Sequence, residues 1–302
     1  MPSLLTHYNF AKNKTILPKE KALYRLQLLG NQGPDPFFFY GSVGSKNNMT
    51  AINSFGSLLH HINPLNLFLF FLDYAQKDLE NKNKILAYLE GLISHYILDR
   101  NCHPYVFYRT EQENHKNLID HQRFEANIDR FYQKENKHIH PINAIKANKK
   151  DVALISKIFF EFAKSINYEN IDENSFLNSY KAMVLAELII FSFIGIRKCI
   201  FNTFLKNSTI NAMSTPLKLE GKIDYLNLKK ELWQMPNTAK NHYESFPELM
   251  QNAEKEYLYV HNLLLKNDIK KELDLFINNT QHDGIKVGDS ITYFNSVYKS
   301  LS

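Results

Sequence analysis

The chain has 302 residues and no long linker rich in Pro, Gly or Ser, which excludes a tail or a flexible scaffold. Its 36 Lys and Arg against 31 Asp and Glu give a net charge of +5, which permits contact with phosphates or anionic lipid without requiring it. The two cysteines, Cys102 and Cys199, form neither a paired zinc spacing nor a disulfide framework. These features favour an intracellular, cytoplasmic protein.

The sequence predicts neither a signal peptide nor a transmembrane helix. The first residues lack the basic start, apolar core and small-residue cleavage site of a signal peptide. The longest apolar run, residues 182–196, contains Glu187 and is shorter than the roughly 20 residues that span a bilayer. We therefore expect this run to form a buried core helix.

Helical periodicity covers nearly every segment, which predicts an all-α fold, a compact multi-helix bundle. A helix over 18–29 should stop at Gly30 in the left-handed conformation, and Pro34 and Pro36 predict a loop that holds Asp35 in a fixed direction. Asn63 and Pro64 are typical of a helix start. Two central helices are predicted over residues 83–102 and 113–134, and Pro104 should end the first. A further helix should start at Asp151 as its cap. The remaining predicted helices cover 175–205, 244–265, 267–278 and 289–300, with turns near 207–223 and 234–240.

Five side chains with metal-ligand chemistry lie on the two central predicted helices. His95, Asp99 and His103 are spaced i, i+4, i+8, and His121 and Glu125 are spaced i, i+4, so each set shares a helix face. One such pair alone is usually a surface contact worth a few tenths of a kcal/mol. Here apolar neighbours surround the first set, and burying polar groups is costly unless they are satisfied. Convergence on zinc, with Asp99 able to bridge two ions, is the better explanation.

Several short stretches together resemble the zinc-dependent bacterial phospholipase C family. They are TH at residues 6–7, GPDPFFFY from Gly33, GSLLHH from Gly56, HYILDRNCH from His95 and HQRFE from His121. The likeness covers about the first 135 residues, and a helical region over 136–302 is expected to pack on them within the same domain. The resemblance implies an all-α enzyme with up to three zinc ions, sharing its architecture with single-strand nucleases.

The resemblance also implies a ligand set and a reaction. Asp35 would orient or deprotonate the attacking water, and the products would be diacylglycerol and a phosphorylated head group. His60 is preferred over His61 because its distance from Gly56 matches the family. The spacing from Asp99 to His103 is shorter than in secreted members, which leaves the orientation of His103 open. The implied ligands are Asp35, His60, His95 and Asp99 for one ion, His7 and Asp99 for a second, and His103, His121 and Glu125 for the third.

One ligand of the secreted members has no counterpart in this sequence. Those proteins use the amino group of an N-terminal tryptophan beside the early histidine. Removal of Met1 would instead expose the amine of Pro2, five residues before His7. We treat zinc coordination by this amine as a hypothesis.

Substrate contacts are less well defined by the sequence. Tyr40, Tyr105, Phe107 and Tyr108 lie close in sequence to implied ligands, and aromatic faces can hold a quaternary ammonium head group such as choline. The FFFY run after Asp35 is more typical of core packing. No role is assigned to the other histidines, which are His61, His115, His138, His140, His242, His261 and His282.

Two alternatives remain open at this stage. A nuclease or phosphatase could use the same metals, because metal ligands indicate the chemistry and not the leaving group. In that case nucleic acid would be a partner instead of phospholipid. The chain could also be a non-catalytic helical binding module whose metals are structural or lost.

Overall fold

A computed structural model describes residues 4–42, 46–110, 118–135, 140–191, 196–205, 208–214, 216, 218–219, 221–266 and 269–293. The Pro2 amine, His115 and His138 lie outside these residues. The predicted all-α class is confirmed. Within the described ranges the sheet structure amounts to one short antiparallel pair, β1 (Trp233–Gln234) and β2 (Asn241–His242), with Trp233 opposite His242.

The helices follow one another along the chain with short connections. Their bounds are α1 Leu4–Lys14, α2 Lys21–Gly30, a 3-10 helix Asp35–Phe39, α3 Met49–His61, α4 Leu65–Lys77, α5 Lys82–Thr110, α6 Leu118–Glu135, α7 Ile142–Ile145, α8 Lys149–Ser165, α9 Ser175–Ile190, α10 Ile196–Phe204, α11 Thr209–Met213, α12 Phe246–Leu264 and α13 Lys270–Ile277.

Helix α5 is the centre of the fold, with α2, α4, α6 and α12 packed around it. Its closest neighbour is α2, and two glycines explain why the backbones of α2 and α5 lie so near each other. A Cβ added at Gly91 would lie 2.1 Å from the Gln27 carbonyl oxygen, and one at Gly30 would lie 2.2 Å from the Tyr88 carbonyl oxygen. Only glycine allows two backbones to come this near. The approach brings the chain that follows α2 directly beside the middle of α5.

The prediction that Pro104 ends the central helix is wrong, because α5 continues through it to Thr110. Proline lacks an N–H group, so the carbonyl of Arg100 loses its helical partner, a disruption of about 3 kcal/mol. The flanking side chains of Cys102, Tyr105 and Val106 are fully buried, and their packing offsets this cost. Residues 105–108 therefore lie on a helix and not in a linker.

Other predicted boundaries also differ from the structure. The helix predicted over 175–205 consists of α9 and α10, and the cap of α9 at Phe191 is extended. The cap of α8 is Asn148, whose Oδ1 accepts from Lys150 N at 2.9 Å, while Asp151 lies in the first turn and pairs with Lys84 at 2.8 Å. Capping therefore begins one turn earlier than predicted.

The structure differs from the predictions at three further places. Gly30 is the last residue of α2 and is not left-handed, whereas Gly33 has a φ of +54°. Asp35 lies in a 3-10 helix instead of an irregular loop. Residues 289–293 are not helical, and the rest of the helix predicted over 289–300 lies outside the described residues.

The apolar run over residues 182–196 is expected to form a buried core helix, but its described part is only half buried. Met183 and Ile190 of α9 face the core, whereas Leu185, Leu188 and Ile189 are 41–46% exposed. None of the described helices is by itself long and apolar enough to cross a membrane. Helices α3 and α4 reach the length and apolar composition of a membrane span only when they are taken together, and they meet at a bend of 102°.

Candidate metal centre

Helix α5 presents His95, Asp99 and His103 on one buried face, as the spacing predicts. Four further elements bring donors to this face: α1 contributes His7, the 3-10 helix Asp35, α3 His60, and α6 both His121 and Glu125. All eight side chains are buried. Their donor atoms form three groups, each with all atoms within 4.8 Å of one another: His7, Asp35 and His95; His60, His95 and Asp99; and His103, His121 and Glu125.

Asp99 lies where the groups meet. His7 Nε2 is 3.2 Å from its Oδ1, and His95 Nε2 is 3.0 Å from its Oδ2. Despite these distances, neither oxygen takes part in a hydrogen bond of acceptable geometry within the described residues. A fully buried carboxylate without hydrogen bonds is costly, and imidazole nitrogens that converge on it without bonding leave a place for a cation. The donor set therefore fits a metal.

The electrostatics of this cluster hold Asp99 and His7 in ligand form, whereas for His95 the charges of Asp99 and Asp35 outweigh burial and raise the pKa. Burial would raise the pKa of Asp99, but the neighbouring His103 and His95 outweigh burial and hold that pKa well below its usual range. Burial and the nearby His95 lower the pKa of His7. An anionic carboxylate beside a neutral imidazole is the combination that binds a divalent metal.

Backbone carbonyls set the orientation of three of the histidines. In each, Nδ1 lies against a carbonyl oxygen, which can only accept, so we assign the proton to Nδ1 and a free lone pair to Nε2. This arrangement settles the direction of His103, whose Nε2 lies 3.6 Å from Glu125 Oε1. The three pairs are His60 with Gly56 at 2.8 Å, His95 with Asn31 at 3.3 Å, and His103 with His282 at 3.3 Å.

The third group is built across α5 and α6. His121 Nε2 lies 3.0 Å from Glu125 Oε1, one helical turn away. Burial lowers the pKa of His121 to about 4, and the imidazole of His121 outweighs burial and lowers the pKa of Glu125. Phe107 stacks on both His103 and His121, with ring centroids 5.2 and 5.3 Å apart. His121 and Glu125 are thus a neutral nitrogen donor and an anionic oxygen donor at neutral pH.

His60 and His61 lie in different environments in the structure. His60 is buried, and its Nε2 lies 3.1 Å from Asp35 Oδ1. His61 is exposed, and its Nδ1 faces the Ser57 carbonyl at 2.7 Å. Only His60 points into the centre, which agrees with the spacing from Gly56.

The four aromatic residues predicted near the substrate have different environments. Phe107 is half-buried against the ligand rings described above. Tyr105 is fully buried, and its hydroxyl donates to the Tyr225 carbonyl at 3.2 Å. Tyr108 is buried and Tyr40 half-buried, packed against the core. In the FFFY run, Phe37 and Phe39 are core residues, while Phe38 is half-buried beside His60, with ring centroids 5.3 Å apart.

Two residues of this region were not found from the sequence. Asp129 accepts hydrogen bonds from Leu5 N at 3.0 Å and from Thr6 N and Oγ1 at 2.7 and 2.6 Å, which fixes the start of the helix that carries His7. Asp129 is four residues after Glu125, and this spacing could have placed it on the same face of α6. His282 is 1% exposed and lies 4.9 Å from the His60 ring. Its sequence neighbourhood carried no such signal.

The zinc dependent phospholipase C family matches residues 11–171, more than half of the chain. The chain belongs to this family. No curated protein and no solved structure matches it. The matched region includes the donors from Asp35 to Glu125, whereas His7 and His282 lie outside it.

Family membership and geometry agree on the kind of metal that these donors could hold. The phospholipase C family is zinc-dependent, and zinc in proteins takes imidazole nitrogen and carboxylate oxygen. All eight buried donors of this phospholipase C family member are of those two kinds.

Proposed function

We propose that this protein is a zinc-dependent phosphodiesterase that hydrolyses phospholipids to diacylglycerol and a phosphorylated head group. The convergence of eight buried nitrogen and oxygen donors around Asp99, in a chain of the phospholipase C family, carries this proposal. A structural zinc site would need about four ligands around one ion, and this centre has twice that number.

The donors divide among up to three zinc ions. Asp99 would bridge two of them, because His7 Nε2 lies 3.2 Å from its Oδ1 and His95 Nε2 lies 3.0 Å from its Oδ2. The proposed ligands are Asp35, His60, His95 and Asp99 for the first ion, His7 and Asp99 for the second, and His103, His121 and Glu125 for the third.

Asp35 is the residue proposed to handle the proton of the attacking water. When bound, zinc ions supply a lowered pKa for that water and stabilise the charge that develops on the phosphate. Asp35 Oδ1 lies 3.1 Å from His60 Nε2 and 3.9 Å from His95 Nε2, so its carboxylate is held beside two donors proposed for the first ion. From there it can orient the water, or accept its proton as a general base.

Two half-buried aromatic rings border the donors. Phe107 covers the third group, and Phe38 lies beside His60. Aromatic faces attract quaternary ammonium groups by cation–π interaction. The two rings support a substrate with a choline head group. The choline would contact the rings, and the phosphate would lie next to the metal donors.

The test combines metal content with hydrolysis on one sample. Zinc is measured by elemental analysis, and hydrolysis is followed with a choline phosphodiester, a generic phosphodiester and single-stranded nucleic acid. We expect more than one zinc per chain and faster hydrolysis of the choline ester, lost with a chelator and restored with zinc. Preference for nucleic acid would indicate the nuclease alternative. A protein with no zinc, and no gain in melting temperature when zinc is added, would exclude a hydrolase of this kind.

A further inference from the structure

A loop near the C-terminal end of the described chain reaches the metal centre. This loop, residues 278–288, lies beyond the family match and follows α13. It folds back on itself, with Gln281 N donating to the Ile285 carbonyl at 2.8 Å. At its turn His282 N donates to the His60 carbonyl at 3.2 Å, and the His282 carbonyl accepts from His103 Nδ1 at 3.3 Å. One residue thus connects ligands of two different groups.

The proline inside α5 explains why the loop docks at this place. Pro104 cannot donate to the Arg100 carbonyl, and that part of the helix surface is where the loop packs. A Cβ at Gly284 would lie 2.4 Å from Arg100 O and 2.6 Å from Pro104 Cγ, and the φ of Gly284 is +78°. Only glycine satisfies both conditions. Tyr96 adds a hydrogen bond from its hydroxyl to the Thr280 carbonyl at 3.0 Å.

The side chain of His282 is buried without a polar partner. It is 1% exposed, and within the described ranges neither ring nitrogen forms a hydrogen bond. Its ring lies among three others, 4.9 Å from His60, 5.2 Å from Tyr96 and 5.6 Å from His95 between centroids. A buried donor or acceptor left unsatisfied costs about 1–3 kcal/mol, so an apolar side chain would suit a purely structural position better.

The distances separate His282 from the metal ligands themselves. Among the described residues, its nitrogens are not part of any group whose donor atoms all lie within 4.8 Å of one another. It lies beside His60 and His95 of the second group, while its own carbonyl holds His103 of the third. A partner that reaches from the donors to His282 would therefore be larger than one ion.

We propose that His282 is a substrate-contacting residue that donates a ring N–H to a non-bridging oxygen of the phosphate held by the metal centre. This inference rests on the proposed function, because that function supplies the phosphate. It places a catalytic-site residue in the C-terminal region, outside the part of the chain that the family match covers.

The experiment measures binding of inorganic phosphate to the full-length, zinc-loaded protein by titration calorimetry, with zinc content determined on every sample. His282→Phe keeps a planar ring and removes both nitrogens, and His282→Gln restores an N–H donor. We expect the Phe variant to keep its zinc and to bind phosphate about tenfold more weakly, as for loss of a hydrogen bond to a charged group. The Gln variant should recover part of the loss. His61→Ala, an exposed neighbour of His60, is the matched control and should behave as wild type.

Each other outcome has a separate meaning. Wild-type phosphate affinity in the zinc-loaded Phe variant would overturn the proposal, and His282 would then only pack. Loss of zinc in step with loss of phosphate in a folded Phe variant would overturn it as well, by making His282 a ligand. If the Phe variant fails to fold, His282→Ala is measured in the same way with the same two criteria. A wild-type protein that takes up no zinc would instead refute the proposed function, and this inference with it.

Discussion

At the scale of single residues, Asp99 has the largest effect on the centre. Its two oxygens face imidazoles from α1 and from its own helix, and it is fully buried. No other carboxylate among the eight donors has this central position. A change of charge at Asp99 should therefore affect more than one metal site.

Asp99→Asn should lower both zinc content and activity. The amide keeps the size of the side chain but removes the negative charge that two ions would share. We expect phosphodiester hydrolysis to fall by at least about 100-fold, because even outer-sphere changes cost 10–100-fold. Elemental analysis and initial rates measure the two effects. Asp73→Asn, at an exposed residue paired with Lys77, is the control, and full activity of the Asp99 variant would refute the bridge.

Glu187 predicts how stability depends on pH. Burial, and then the charge of Asp129, raise the pKa of Glu187 to about 8, whereas the unfolded chain releases this proton near its usual value of 4.5. Between these values the unfolded state binds fewer protons than the folded state, so the free energy of unfolding should fall as pH rises from about 4.5 to 8.

Glu187→Gln should remove this part of the pH dependence. Urea unfolding at pH 5.5 and pH 8, with zinc at the same saturation, measures the difference. We expect the variant to gain stability relative to wild type at pH 8 and to gain less at pH 5.5. Glu161→Gln, a more exposed residue paired with Lys164, should leave the difference unchanged. If the free energy of unfolding changed equally between pH 5.5 and pH 8 in wild type and in the Glu187 variant, the raised pKa of Glu187 would be contradicted.

At the scale of elements, the distance between α2 and α5 determines where the loop before Asp35 lies. Gly91→Ala would place a Cβ 2.1 Å from the Gln27 carbonyl, which is backbone and cannot rotate away. We expect a loss of about 1–3 kcal/mol in the free energy of unfolding, as for overpacked cores. Denaturant unfolding measures it, with Asn83→Ala on the exposed start of α5 as the control. Equal stability of the Gly91 variant and wild type would show that α2 and α5 can move apart to fit the added Cβ without loss of stability.

The contact between α6 and α1 carries a second prediction at this scale. Asp129 accepts three hydrogen bonds from the first turn of α1, so Asp129→Ala should release the helix that holds His7. We expect a loss of about 2–3 kcal/mol in stability and a lower zinc content. Asp120→Ala, on the same helix and half-exposed, should change neither. Unchanged zinc in the Asp129 variant would mean that other contacts place His7.

At the scale of the whole molecule, the centre connects distant parts of the chain. Its donors come from α1, the 3-10 helix, α3, α5 and α6, and the loop at residues 278–288 contacts His60 and His103 through His282. Metal bound only by the folded state stabilises that state by mass action. Zinc should therefore contribute to the stability of the whole fold and not only to its site.

Removal of zinc should lower the melting temperature by about 5–10 °C, the effect of a few kcal/mol on a chain of this size. Differential scanning calorimetry with and without a chelator measures the shift. The Asp99→Asn protein should show a smaller shift, because it binds less zinc at the start. No shift in wild type would favour the non-catalytic helical module.

The sequence by itself determined the donors of α5 and α6. Side chains spaced i, i+4 share a helix face whatever surrounds the helix, so His95, Asp99 and His103 could be grouped without knowing the fold. The resemblance added His7, Asp35 and His60, which periodicity could not connect. Helical content was also predicted correctly, because local patterns decide it.

Tertiary structure alone decided the features that depend on contacts between distant residues. Pro104 breaks a helix by local rules, but burial of its neighbours keeps α5 continuous. His282 lies in a non-helical segment with no periodic pattern around it, so nothing local links it to His60. Its position follows from the close packing of Gly284 against Arg100 and Pro104, and such complementarity exists only once both segments are folded.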